Sequence, residues 1–119
     1  MMNKKILVID DDPAVLEYLT TIFEDNGYTT CSAKDAFEGL EVARREKPDL
    51  ITLDLEMPGD WGPRFYRKMS EDQTLKNTPV VVISGLSGHK YAINKAVATL
   101  SKPFNTDELL QIVAENIIS

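Results

Sequence analysis

Short apolar runs alternate along this chain with segments whose apolar positions recur at helical spacing. Residues 6–9 are continuous in Ile, Leu and Val, the pattern of a strand buried on both faces. Val15, Leu16, Leu19, Ile22 and Phe23 then fall on one stripe, which predicts a helix. Asp12 suits its cap, Pro13 its first turn and Asn26-Gly27 its end. Residues 28–32 form a weaker apolar run, polar at Thr29, Thr30 and Ser32, and are placed at a sheet edge. Residues 34–46 predict a second helix with Ala36, Leu40 and Ala43 inward, Arg44, Arg45, Glu46 and Lys47 solvated, and Pro48 as its stop. A third strand over 50–53 ends on Asp54. Pro58, Gly59 and Gly62 punctuate a loop, and a short helix follows through about Glu71.

Residues 80–83 repeat the continuous apolar pattern and are followed by Ser84-Gly85. A short helical stretch near 89–95 leads to a fifth strand over 97–100, and Lys102-Pro103 comes next. Asn105 with Glu108 is a capping-box pattern for a last helix, whose inward face is Leu109, Leu110, Val113 and Ile117. Five strands and five helices in alternation predict an α/β fold: a doubly wound parallel sheet in a (βα)₅ three-layer sandwich, with a short fourth helix. The 119 residues fit one domain, 1–119. No repeat, low-complexity tract or linker interrupts it.

Composition narrows the function. The net charge of −6, from 19 acidic and 13 basic residues, argues against direct nucleic-acid binding and against a polybasic membrane contact. Cys31 is the single cysteine, so the chain offers no internal disulfide and no cysteine metal site. The N-terminal apolar run is short and meets three aspartates, unlike a signal peptide. No apolar stretch approaches the length that spans a bilayer. The expected location is the cytoplasm.

Right-handed crossovers point successive parallel strands the same way, so their carboxyl ends share one edge, where open α/β sheets bind ligands. Asp10-Asp11, Asp54, Ser84 and Lys102 stand at or just past the ends of four predicted strands. Taken singly, each has an ordinary reading. The aspartates make a solvated turn and a cap, Asp54 belongs to a loop, Ser84 satisfies a backbone group, and Lys102 lies on the surface. Together they specify a chemistry. Three crowded carboxylates need a cation, and an all-oxygen set favours a hard ion such as Mg²⁺. A carboxylate beside that ion is a nucleophile for phosphorus. The Ser84 hydroxyl and Lys102 ammonium are suited to the charge of a transferred phosphoryl group, and Gly85 leaves room for its oxygens.

The stretches ILVIDDDP (6–13), PDLITLDLEMPG (48–59), TPVVVISG (78–85) and LSKPF (100–104) resemble the response-regulator receiver domains of two-component signalling, over essentially the whole chain. The resemblance implies a sheet in the order 2-1-3-4-5 with Asp54 as the phosphorylated residue. It further implies that Asp11 and Asp54 ligate Mg²⁺ (with Mn²⁺ an acceptable substitute), that Asp10 acts largely through water, and that the Glu56 backbone carbonyl completes the protein ligands. Ser84 corresponds to the switch hydroxyl and Lys102 to the lysine that contacts the phosphoryl group, with a cis bond expected at Lys102-Pro103. The donor is then a histidine kinase or a histidine phosphotransfer protein. The chain catalyses only its own phosphorylation and dephosphorylation, acts as a monomer or weak dimer, and signals through a partner output protein. The end at Ser119, just after the last helix, suits a stand-alone receiver or part of a longer protein.

Some residues depart from the family pattern. The stretch from Ser84 to Lys102 is several residues short, and the loss is expected in or beside the short fourth helix. Thr99 stands where an aromatic that rotates with the switch hydroxyl is usual. Trp61 occupies a loop position more often acidic or small, and reads first as a loop anchor. Glu56 and Leu86 flank the site where the family tunes dephosphorylation. His89 lies outside the motifs. The main competing reading is a pseudo-receiver, an interaction module regulated without phosphorylation. An aspartyl phosphohydrolase of the haloacid-dehalogenase type lacks support because no cap region exists. A flavodoxin-like flavin binder lacks a phosphate loop after the first strand.

Overall fold

A computed structural model describes residues 4–54, 62–84, 98–101 and 104–117. Five strands, β1 (Lys5–Ile9), β2 (Thr29–Ala33), β3 (Leu50–Asp54), β4 (Val80–Ser84) and β5 (Ala98–Ser101), pair in parallel in the order β2-β1-β3-β4-β5. The described helices are α1 (Pro13–Asp25), α2 (Ala36–Glu46), α3 (Gly62–Glu71) and α4 (Thr106–Asn116). The helix expected near 89–95 lies outside the described residues.

The continuous apolar strands have the physical basis read from them. Side chains alternate across the sheet, so Leu7 and Ile9 enter one core with Ile51, Leu53, Val80 and Val82. Ile6 and Val8 enter a second core on the other face with Leu50, Val81 and Ile83. Helices α2 and α3 close the first through Leu40, Val42, Ala43, Phe65 and Met69. Helices α1 and α4 close the second through Leu19, Phe23, Leu109 and Val113. Burying each such side chain contributes about 1.5–3 kcal/mol, which a strand buried on one face alone would gain at every second residue. The polar run of β2 occupies the edge beside β1.

Local chemistry sets the boundaries. Asp12 caps α1 by accepting from the Ala14 N–H at 2.9 Å, with Pro13 behind it. Gly27 supplies the positive φ of 93° that turns the chain into β2. Helix α2 starts at Ala36, two residues later than expected, because Asp35 is its cap and accepts from the Glu38 N–H at 2.7 Å. Glu38 reaches back, its Oε1 accepting from the Lys34 N–H at 3.0 Å. At the other end Lys47 takes φ 50° as a left-handed cap, its N–H donating to the Ala43 carbonyl at 2.9 Å, and Pro48 follows. Asn105 caps α4 through the Glu108 N–H at 3.0 Å. None of the described helices is long and apolar enough to cross a membrane.

Candidate functional site

Strands β1 and β3 lie side by side with Ile9 opposite Leu53. The residues that follow, Asp10 and Asp54, therefore emerge together at the carboxyl edge. One carboxylate oxygen from each of Asp10, Asp11 and Asp54 lies within 4.8 Å of the others. Asp10 and Asp54 are only 2% and 3% exposed, while Asp11 is open to solvent. The Asp10 N–H donates to the Ala33 carbonyl at 3.1 Å, carrying the ladder with β2 one residue past the strand. Its Oδ1 accepts from the Asp12 N–H at 2.9 Å, which fixes the carboxylate against the start of α1.

Ser84 ends β4, whose preceding residue Ile83 pairs with Asp54, so the Ser84 backbone stands at the same edge one step further along. Ser101 pairs with Ser84 from β5 and brings the chain to that edge just before Lys102. Lys102 and the Glu56 carbonyl lie outside the described residues, as do Trp61, Gly85, Leu86, His89 and the Lys102-Pro103 bond. Thr99 pairs with Val82 inside the sheet. Asp12 stands apart from the acidic cluster in role, since its carboxylate serves the helix cap.

Two withdrawn carboxylates beside a third repel one another, and the low local dielectric strengthens that repulsion. A hard cation relieves it, and the donor set, all oxygen and open to water on the Asp11 side, matches the preference of Mg²⁺. The residues present therefore fit a divalent ion. One group near the site escaped the sequence reading. Thr52, on the same face of β3 as Asp54, is 1% exposed, and its hydroxyl meets no hydrogen-bond partner among the described residues. A threonine inside an apolar strand was its only signal. Cys31 is unrelated to the site: burial pushes its thiol up to about 11, so it stays protonated near neutrality and serves packing.

The family model for the response regulator receiver domain matches residues 6–114. The chain belongs to that family. This receiver is 36% identical to Protein Rrf1 of Nitratidesulfovibrio vulgaris, over 94% of the chain and 81% of the relative. It is 31% identical to sporulation initiation phosphotransferase F of Bacillus subtilis, over 95% of the chain and 93% of that protein. Among solved structures, a CheY-like receiver domain protein from Methanospirillum hungatei superposes with a TM-score of 0.86 at 28% identity, covering 98% of this chain and 94% of the other. The receiver assignment places the chain in two-component signalling. Receivers generally bind Mg²⁺ in an acidic pocket, and the Asp10, Asp11 and Asp54 cluster is that pocket's counterpart here.

Proposed function

We propose that this receiver accepts a phosphoryl group on Asp54 from the phosphohistidine of a kinase or phosphotransfer partner. The observation that carries the reading is the convergence of Asp10, Asp11 and Asp54 at the sheet edge, two of them nearly withdrawn from water. In the reaction an Asp54 carboxylate oxygen attacks phosphorus, the bond between phosphorus and the donor imidazole nitrogen breaks, and an acyl phosphate remains on Asp54. The electron pair of the broken bond stays with the imidazole. Asp10, Asp11 and Asp54, with the Glu56 carbonyl, would hold a Mg²⁺ ion. When bound, the ion neutralises charge on the transferring oxygens. Burial of Asp54 limits competing water, and Asp10, held by the Asp12 N–H, keeps its carboxylate aimed at the cluster. The Ser84 hydroxyl and Lys102 ammonium supply the remaining donors to the phosphoryl oxygens.

On this reading the protein works in the cytoplasm, turns over no metabolite, and passes its state to a partner. The test is incubation with acetyl phosphate or beryllofluoride, with and without Mg²⁺, followed by intact mass and Trp61 fluorescence. A single adduct that requires Mg²⁺ and disappears in Asp54→Ala is expected. An adduct that survives Asp54→Ala would sink the proposal by placing the phosphoryl group elsewhere, and no adduct at all would sink it and leave a pseudo-receiver. Sustained phosphate release from many monoesters would instead mark a hydrolase.

A further inference from the structure

The two helical layers differ in charge. Helices α1 and α4 carry Glu17, Glu24, Asp25, Asp107, Glu108 and Glu115 and no lysine or arginine. Helices α2 and α3 carry Arg44, Arg45, Arg64, Arg67 and Lys68 against Glu38, Glu41, Glu46 and Glu71. In a chain of net charge −6, the α2 and α3 layer is thus close to neutral, and three of its basic residues gather at one groove.

A cavity of about 460 Å³ opens between α2 and α3, and none of its lining residues is acidic. Phe37, Leu40 and Arg44 line it from α2, and Arg64, Phe65 and Lys68 line it from α3. Both sets follow helical spacing, so each helix presents an apolar step and a cationic step to the same groove. Leu40 and Phe65 form a buried floor, whereas Phe37 is 79% exposed. Gly39 explains why the floor is closed. A Cβ there would meet Ile9 Cδ1 at 2.6 Å and the Phe65 ring at 3.5 Å, so the glycine lets α2 sit tightly on β1 and α3. A phenyl ring left in water at the first turn of α2 gains nothing from the fold itself, since burying it would contribute about 1.5–3 kcal/mol.

We propose that this groove docks an acidic, amphipathic helical segment of a partner protein, whose apolar residues cover Phe37 and Leu40 and whose carboxylates meet the cationic lining of Arg44, Arg64 and Lys68. Helix-in-groove binding lays the apolar face of an amphipathic helix into a hydrophobic groove, and Phe37, Leu40 and Phe65 supply such a groove with cationic residues beside it. Nucleic acid is disfavoured, since a polyanionic rod needs an extended cationic footprint. A second copy is disfavoured as well. Two chains of net charge −6 repel, and seating the acidic α1 and α4 layer of one copy on this groove is a head-to-tail contact, which builds rings or filaments and not a two-fold dimer. The proposal stands apart from phosphoryl transfer, for no groove residue belongs to the acidic cluster.

The test uses the intact chain and fluorescence anisotropy with a labelled library of amphipathic peptides, apolar at helical spacing and Glu or Asp elsewhere. A matched library carries Lys in place of the acids. The acidic library is expected to bind and the Lys library to fail, with affinity falling as salt screens the rim. Phe37→Ser should weaken binding by about tenfold or more, as loss of an aromatic anchor does, with an unchanged urea midpoint because the ring is exposed. Lys68→Glu should weaken it severalfold, most at low salt. The proposal is overturned by no binding of the acidic library, by equal binding of the Lys library, or by indifference to Phe37→Ser. Sedimentation showing self-association that Phe37→Ser abolishes would overturn it too, putting a second copy in the groove.

Discussion

Asp10 and Asp54 are nearly withdrawn from water while Asp11 faces it, and this asymmetry makes the cluster a source of strain without a cation and of stability with one. Bound ligand adds stability as its concentration exceeds the Kd, so Mg²⁺ at roughly a hundred times the Kd should stabilise the chain by about 2.7 kcal/mol. Asp11→Asn removes one of three like charges and one ligand. In EDTA it should therefore raise the urea midpoint, and in Mg²⁺ it should lose most of the metal-induced gain. A variant less stable in EDTA and unchanged in its response to Mg²⁺ would contradict this account. Thr52 invites a second measurement. A buried hydroxyl without a partner costs about 1–3 kcal/mol, so Thr52→Val should raise stability by about 1 kcal/mol in urea titration, and a loss of stability would reveal a partner for it. The aspartates were legible in the sequence as an acidic run after an apolar one. That Asp54 joins Asp10 and Asp11 within 4.8 Å depends on the pairing of β1 with β3, which the run of residues 10–12 does not encode.

At the scale of elements, side chains at helix ends decided the boundaries. The Asp12 and Asn105 caps were readable because each precedes an apolar helical stripe. Asp35 was less visible, since Ser32, Lys34 and Asp35 offer several starting points and only the hydrogen bond to the Glu38 N–H selects one. Asp35→Ala should cost about 1 kcal/mol, with Asp35→Ser recovering most of it, as measured by chemical denaturation. Equal stability of all three proteins would mean that α2 is held by Leu40, Val42 and Ala43 alone. The β2 edge position was legible from its polar residues. The ends of β2 and β5, Ala33 and Ser101, lie one residue beyond expectation, because pairing with Ile9 and Ser84 and not composition sets where a strand stops.

For the whole molecule, the sheet divides the interior into two cores that share strands but not side chains. Val42→Ala opens the core under α2 and α3, and Val113→Ala the core under α1 and α4. Each should cost about 1–3 kcal/mol. The double variant should lose the sum within about 0.5 kcal/mol, and a larger discrepancy in its unfolding free energy would show that the sheet transmits packing between its faces. The same partition separates what the sequence determined from what it could not. Strand and helix identity, the α/β class and the residue types of the site follow from spacing along the chain, because burial on two faces demands continuous apolar runs and capping demands particular side chains. The shared edge of Asp10, Asp11 and Asp54 was expected from the ends of parallel strands, but their approach within 4.8 Å and the α2 and α3 groove come from the packing of elements distant in sequence. Phe37 and Arg64 look unremarkable in their own segments, and only the packing of Gly39 against Ile9 and Phe65 sets an apolar and cationic surface between them. Local patterns specify which face of an element is buried, and the tertiary structure decides which exposed faces become neighbours.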